Sequence, residues 1–148
     1  MMLHSPALAA AWSGFFSQIK FNTQISSRLR ELVACTVGIA NGAAYQLDQH
    51  GPLFIAAGGS RAQLAALADP DSAAMDSLLF DETERAVISL ALEMTRTVKI
   101  SYETFERARS ALMTQPAIVE LIGVVAAYNL VSRFLVALEV GKPEEVHS

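Results

Sequence analysis

The sequence has little cysteine and little positive charge. Cys35 is the single cysteine in 148 residues, which excludes a disulfide within the chain and a zinc site built from several cysteines. Lysine and arginine number 11 against 15 acidic residues, so the net charge is −4 and the pI is near 5.3. Such a chain has no electrostatic attraction for nucleic acid or an anionic membrane surface. We expect neither as a partner.

The sequence also lacks the pattern of a signal peptide, since no charged start precedes an apolar core with a small-residue cleavage site. We therefore expect a cytoplasmic location. The most apolar stretch, 118–140, is interrupted by Glu120, Asn129, Arg133 and Glu139. Asn and Arg near the middle of a bilayer are costly, so this stretch predicts a buried helix and no membrane association.

Hydrophobic residues make up 52% of the chain and charged residues 18%. A length of 148 residues favours one domain, spanning 1–148, that buries about two thirds of its unfolded surface. A monomer of this size cannot cover so much apolar surface. The composition therefore predicts a homo-oligomer with a substantial subunit interface.

Helix start and stop signals recur along the chain, and no useful strand-like alternation is present. They predict an all-α fold of about six to seven helices. The predicted helices are 6–19, one starting at Ser26 or Ser27, one after Asn41-Gly42, 61–68, one behind Asp81, 101–113 and 114–139. The segment from Asp69 to Phe80 is the weakest in pattern and is predicted to be a mobile loop. The tail from Glu144 to Ser148 is expected to fray.

The stretch from Glu31 to His50 carries the polar residues whose spacing points to chemistry. Asn41-Gly42 marks a turn between two helices. In the second helix, Ala43, Gln46 and His50 lie at i, i+3 and i+7, on one stripe. A hairpin of this kind can bring the Glu31 carboxylate to the His50 imidazole. Gly51-Pro52 follows directly, so we expect the helix to kink or restart there.

This spacing resembles the carboxymuconolactone decarboxylase and alkylhydroperoxidase D-like (AhpD-like) family. In its thiol peroxidases, a Glu is followed by a Cys twelve residues later. A second Cys comes three residues after the first, and a His comes four residues after the second Cys. Glu31 and His50 occupy the Glu and His positions, whereas Ala43 and Gln46 occupy the cysteine positions. Tyr45 stands where the family carries His or Tyr. The resemblance covers nearly the whole chain, including 26–33, 50–58 and a Tyr-Asn segment at 126–134.

The resemblance implies an AhpD-like helical domain that forms dimers, trimers or hexamers. Without the two cysteines, no disulfide can form here and no dithiol can reduce a peroxide. The decarboxylase branch works without a redox thiol or cofactor. The expected activity is therefore acid–base, lyase-like chemistry on a small carboxylated or lactone-type metabolite.

In that interpretation each polar residue has a role. Glu31 and His50 act as acid and base, and Tyr45 and Tyr128 as hydroxyl donors. Gln46 and Asn129 orient a substrate carbonyl, Arg133 pairs with a substrate carboxylate, and Trp12 lines the pocket. Metal binding is not expected, because Glu31 and His50 have no third ligand nearby in sequence.

Several alternatives remain open. Trp12 is more simply a core or interface anchor, and Arg133 more simply a salt-bridge partner of Glu31 or Glu139. The two tyrosines pack equally well with satisfied hydroxyls. For the whole protein, the alternatives are a non-catalytic small-molecule binder or structural oligomer, and residual peroxidase activity through Cys35. A small, buried, inert thiol is the simpler interpretation of Cys35.

Overall fold

The computed structural model describes residues 4–141, and within this range the protein is entirely helical. The expected all-α fold is confirmed. The helices are α1 Pro6–Phe21, α2 Ser27–Ala40, α3 Ala44–Ala56, α4 Arg61–Ala66, α5 Pro70–Ala73, α6 Glu82–Thr97, α7 Tyr102–Leu112 and α8 Gln115–Ala137. They number eight in the described range, one more than expected. The predicted fraying of Glu144 to Ser148 lies outside the described residues.

Local capping signals account for most helix starts. The Ser26 side chain accepts a hydrogen bond from the Leu29 amide at the start of α2. Asp81 and Glu84 form a reciprocal capping box at the start of α6, where the sequence predicts a helix behind Asp81. Ser101 caps α7 and Thr114 caps α8 in the same way, through the amide three residues on. These contacts satisfy amides that would otherwise have no partner inside the helix.

Helix α2 is the centre of the fold. Nine consecutive residues, Arg30 to Gly38, are buried, and the helix packs against α3, α6 and α8. One core cluster lies on its α8 side and includes Val33 and Val37, and a second lies on its α3 and α5 side and includes Leu32 and Cys35. A helix that is buried all round must place any polar residue against a partner.

Helix α8 is long and apolar enough, by length and composition, to cross a membrane. Its inward face, with Leu121, Val124, Val125 and Tyr128, belongs to the first core cluster. The helix thus supplies the core as the sequence predicts, although 44% of its most apolar window is buried. The outward face leaves apolar side chains exposed, among them Leu130 at 47%.

The structure corrects one local prediction and part of another. The segment predicted as a loop contains α5, and Pro70 and Phe80 are buried in this part of the chain. Phe80 belongs to the second core cluster, so tertiary packing orders a stretch with little local pattern. At Pro52, where we expect a kink or a restart, the restart is absent, because α3 continues through Pro52 to Ala56. Proline has no amide hydrogen, so α3 passes this position with one backbone hydrogen bond fewer.

Candidate functional site

The site is built on the hairpin of α2 and α3. Glu31 lies in the second turn of α2 and His50 in the middle of α3. The connection turns at Gly42, whose φ of 65° is a left-handed conformation that glycine adopts without strain. This tight turn brings the helices together, and Nδ1 of His50 lies 2.6 Å from Oε2 of Glu31. The predicted contact between the two side chains is present.

The carboxylate of Glu31 is buried, its side chain being 6% exposed. Its second oxygen, Oε1, lies 3.4 Å from Nε of the neighbouring Arg30. Arg30 is also buried, and its Nη1 donates to the Lys20 carbonyl at 3.1 Å. The anion is therefore paired on both oxygens, as a buried carboxylate requires. The predicted alternative of an ion pair from Arg133 to Glu31 is wrong, because Arg30 and His50 occupy the carboxylate.

Tyr128 of α8 covers the other side of the imidazole. Its ring meets that of His50 edge to face, with centroids 5.0 Å apart and planes at 82°. Burial raises the pKa of the Tyr128 hydroxyl well above its ordinary value, the charge of Glu31 adds to this, and Arg30 opposes it. The hydroxyl stays protonated at physiological pH. The edge-to-face contact with Tyr128 restricts the orientation of the imidazole ring.

A pocket of about 300 Å³ opens beside the imidazole. Its wall comes from α1, α3, α8 and the turn after α8. The lining residues are Trp12, Tyr45, Gln46, Gln49, His50, Val131, Phe134, Leu135 and Val140. Trp12, Tyr45 and Gln46 are thus brought together with His50, as expected from the sequence.

The second imidazole nitrogen, Nε2 of His50, is one of the polar atoms that the lining residues offer to this pocket. Among residues 4–141, Arg85 Nε is the one buried side-chain nitrogen or oxygen without a hydrogen-bond partner. Nε2 of His50 also has no hydrogen-bond partner in that range. Because it is not among the buried atoms without a partner, Nε2 is accessible to solvent. The His50 side chain is 20% exposed. In the tautomer whose Nδ1–H donates to the Glu31 carboxylate, Nε2 is the acceptor nitrogen.

Gln46 has a structural place at the pocket floor. Its Nε2 donates to the Ala34 carbonyl at 2.8 Å, and its Oε1 accepts from the Ser132 hydroxyl at 2.8 Å. The residue is 1% exposed, and its side chain packs on Gly38, where an added Cβ would lie 3.3 Å away. Both ends of the amide are therefore engaged in tying α3 to α2 and α8.

Asn129 and Arg133 do not line this pocket. The Asn129 amide nitrogen donates to the Thr95 hydroxyl at 2.9 Å, and its oxygen accepts from Asn41 and from Arg133. Arg133 is exposed and borders a separate depression with Asn41 and Ser132. The structure therefore separates these two predicted substrate-binding residues from His50, on a different face of α8.

Tyr45 and Trp12 lie in the wall of the pocket. Tyr45 is 39% exposed, and its hydroxyl has no hydrogen-bond partner in the part of the chain that the structure describes. The indole of Trp12 stacks on Phe16 at 5.2 Å and meets Phe134 at 5.1 Å. Trp12 thus serves both as the packing anchor and as a wall of the pocket.

The family follows from the comparison with family models. The model of the carboxymuconolactone decarboxylase family matches residues 6–93, more than half of the chain and all of the α2–α3 hairpin. The chain belongs to this family. A comparison with curated protein sequences gives no match.

Solved structures show the same fold. An Agrobacterium tumefaciens protein of unknown function, proposed to be the antioxidant defence protein AhpD, superposes with a TM-score of 0.85 at 20% identity, over 97% of this chain and 96% of that one. A peroxidase-related protein from Silicibacter sp. TM1040 gives 0.79 at 22%, over 95% and 73%. A cysteine-to-alanine variant of the debrominase Bmp8, in complex with 2,3,4-tribromopyrrole, gives 0.79 at 22%, over 93% and 72%. The predicted AhpD-like fold is confirmed.

In this member of the carboxymuconolactone decarboxylase family, Cys35 is part of the second core cluster and is fully buried. Burial raises the pKa of its thiol to about 12, and the charge of Glu31 adds to the shift. The thiol is therefore protonated at neutral pH, whereas the thiolate is the reactive form. Cys35 has the environment of an inert core residue.

Sequence reasoning missed three residues of the site. Arg30 is not among the site residues predicted from the sequence, yet it is the buried partner of Glu31. Its position within an apolar helix, next to an acid, was the available signal. Gln49 and Phe134 complete the pocket wall, and they are recognised only when the helices are assembled. No group of three or more His, Cys, Asp or Glu residues able to hold a metal lies within residues 4–141.

Proposed function

We propose that this protein is a cofactor-independent enzyme whose His50, held by Glu31, performs acid–base chemistry on a small molecule bound in the adjoining pocket. The observation that carries the proposal is the 2.6 Å contact between Nδ1 of His50 and the buried carboxylate, in a side chain that also lines the pocket. This is the arrangement of a positioned general base.

The expected reaction is lyase-like. Nε2 of His50 takes a proton from the bound molecule, and the imidazolium so formed is stabilised by the negative charge of Glu31. In a lactone opening, the proton leaves carbon as the ring C–O bond breaks, and the electron pair of that bond stays on the departing carboxylate. In a decarboxylation, the C–C bond to the carboxylate breaks instead, and the imidazolium protonates the carbon that keeps the electron pair. Tyr45, which lines the same pocket, supplies a hydroxyl donor within it. Neither step needs a thiol, which agrees with the single, buried Cys35.

The second candidate is a family member that binds a small molecule without turning it over. It is favoured by the fully engaged amide of Gln46, which closes the polar floor of the pocket. A structural oligomer without any ligand is supported less, because the pocket beside His50 is not filled by described side chains.

To test this, the protein is incubated with a panel of lactones and unsaturated ring acids in deuterated water. Deuterium incorporation is measured by NMR, and the release of carbon dioxide is measured in parallel. His50→Ala should lower turnover by roughly 100-fold or more, the usual contribution of a general base. Glu31→Gln should lower kcat more than it raises KM, because it acts through the imidazole.

The matched control is His4→Ala, which removes an exposed histidine outside the pocket. Urea unfolding of each variant shows that the fold is retained. Full turnover in the folded His50→Ala variant would refute the catalytic role. If panel compounds bind saturably but none of them incorporates deuterium, the result would favour a protein that binds a small molecule without turning it over.

We also propose that the chain forms a homo-oligomer. Among the described residues, apolar side chains such as Leu8, Phe15 and Leu130 are between 44% and 47% exposed. Exposed apolar side chains on long helices are typical of subunit contacts. The cytoplasmic location expected from the sequence stays a prediction.

A further inference from the structure

We propose that Tyr45 sets the length of the molecules that bind beside His50, because its ring divides a longer apolar groove into two cavities. The inference rests on the proposed function for the type of molecule bound. It adds a limit on that molecule, which is a small ring with a short substituent and not its long-chain derivative. The limit is steric, so it applies to carboxylated and lactone-type molecules alike.

A second cavity, of about 230 Å³, adjoins the pocket beside His50. It lies between the α2–α3 turn on one side and the end of α8 with the following turn on the other. Its lining is apolar apart from the side chains of Tyr45 and Glu139. Tyr45, Leu135 and Val140 line both cavities. The two cavities therefore meet at a wall formed by these three side chains.

The cavities follow each other along α3. Residues 42–44 line the second cavity, whereas Gln46, Gln49 and His50 line the pocket. Tyr45 lies between the two sets and belongs to both. A molecule bound beside His50 that extended towards the start of α3 would therefore meet the Tyr45 side chain first.

Helix α8 shows the same order on the opposite side. Val131 and Phe134 line the pocket, and Val136 lines the second cavity. Leu135, which lies between them in sequence, lines both. The two cavities are thus consecutive sections of one groove between α3 and α8. Such an apolar groove suits the saturated chain of a substituted ring.

Tyr45 provides the largest of the three shared side chains. The turn after α8 passes close to it, since a Cβ added at Gly141 would lie 2.9 Å from both Cβ and Cδ2 of Tyr45. Gly141 has a φ of 87°, a conformation that glycine adopts without strain. The glycine thus lets the backbone approach the ring, and the ring is held against the turn. Removing the ring should join the two cavities.

The test uses three γ-lactones that share one ring and carry a methyl, butyl or octyl chain. Binding is followed by the fluorescence of Trp12, the single tryptophan of the chain and part of the pocket wall, and by calorimetry. Tyr45→Ala removes the ring, and Tyr45→Phe keeps the ring without its hydroxyl. The matched control is Tyr102→Ala, which removes a tyrosine that is 81% exposed on α7.

In the wild type, the octyl lactone should bind within about threefold of the butyl lactone, because the added methylenes stay in water. Tyr45→Phe and Tyr102→Ala should behave in the same way. In Tyr45→Ala, the octyl lactone should bind roughly tenfold or more tightly than the butyl lactone. Each buried methylene contributes about fourfold in affinity, so burial of two of the four added ones is sufficient.

Amide NMR spectra locate the chain. In Tyr45→Ala, the octyl lactone should shift the amides of Gly42 and Ala44, which line the second cavity. In the wild type, the same lactone should shift the amides of Gln49 and His50 and leave Gly42 and Ala44 unchanged. Urea unfolding shows that each variant is folded. Tyr45→Val, which keeps more of the packing against the turn, replaces Tyr45→Ala if the latter does not fold.

Several results would overturn the inference. A wild type that already binds the octyl lactone tenfold more tightly than the butyl lactone has no length limit at Tyr45. A folded Tyr45→Ala without this preference, or without binding of any of the three lactones, has no joined cavity. The same gain in Tyr45→Phe or Tyr102→Ala would mean that the ring of Tyr45 is not its cause.

Binding and turnover separate this inference from the proposed function. The preference for chain length is measured at equilibrium and stands even if His50→Ala retains turnover. Conversely, tight binding of the octyl lactone to the wild type would refute the length limit and leave the acid–base role of His50 intact.

Discussion

Replacing Gln46 distinguishes a structural tie from a substrate contact. Gln46→Met keeps the length of the side chain and removes both polar ends. Two hydrogen bonds are lost, to the Ala34 carbonyl and from the Ser132 hydroxyl, each contributing about 1 kcal/mol. Ser132 keeps an acceptor in the Tyr128 carbonyl, so the loss is not increased by a buried hydroxyl without a partner. We expect the free energy of unfolding to fall by about 2 kcal/mol.

Gln46→Ala should cost more, because it also leaves a cavity against Gly38, and large-to-small changes in a core add about 2 kcal/mol or more. The assay is urea unfolding followed by circular dichroism. The control is Gln49→Met, the exposed glutamine one turn along α3, which should stay within about 0.5 kcal/mol of the wild type.

The result that would refute this reasoning is a Gln46→Met protein as stable as Gln49→Met but with weakened ligand binding. The amide would then contact the bound molecule, as the sequence predicts, and would contribute little to the core. A loss of stability with unchanged affinity per folded molecule supports the tie.

Three further predictions concern the surface and the thiol. Met113 ends α7 in a left-handed conformation with φ 65°, so Met113→Gly should stabilise by about 1 kcal/mol in urea, whereas Met113→Ala, which keeps a Cβ, should not. Cys35 should resist a disulfide reagent in the folded protein and react with it in urea, and prompt labelling of the native thiol would contradict its burial. Neither the wild type nor Cys35→Ser should consume peroxide. Leu130→Asp should lower the mass measured by light scattering, whereas Leu78→Asp, at a position 95% exposed in a turn, should leave it unchanged; a monomeric wild type would remove the case for an oligomer.

The sequence predicts local structure well where the signal is local. Ser26, Asp81, Ser101 and Thr114 all cap helices as expected, because a cap depends on residues three positions apart. The stretch around Pro70 and Phe80 carries no such signal, and it is ordered by a core formed from distant helices. Its conformation could not be predicted from its own residues.

Within the site, spacing along one hairpin was sufficient to place Glu31 against His50. For α8 the prediction was only partly right, because neighbouring residues on a helix point in different directions. Tyr128 reaches the imidazole, but Asn129 is rotated by about 100° on the helix and contacts Thr95 of α6. A segment can therefore be matched correctly while two of its three predicted site residues, Asn129 and Arg133, lie away from the pocket.

The burial of α2 separates Glu31 from the pocket that its partner lines. The Glu31 side chain is 6% exposed and does not line the pocket, whereas His50 does. A molecule bound in the pocket therefore meets the carboxylate only through the imidazole. Displacing water from the pocket leaves the direct contacts of Glu31, with Arg30 and with His50, in place.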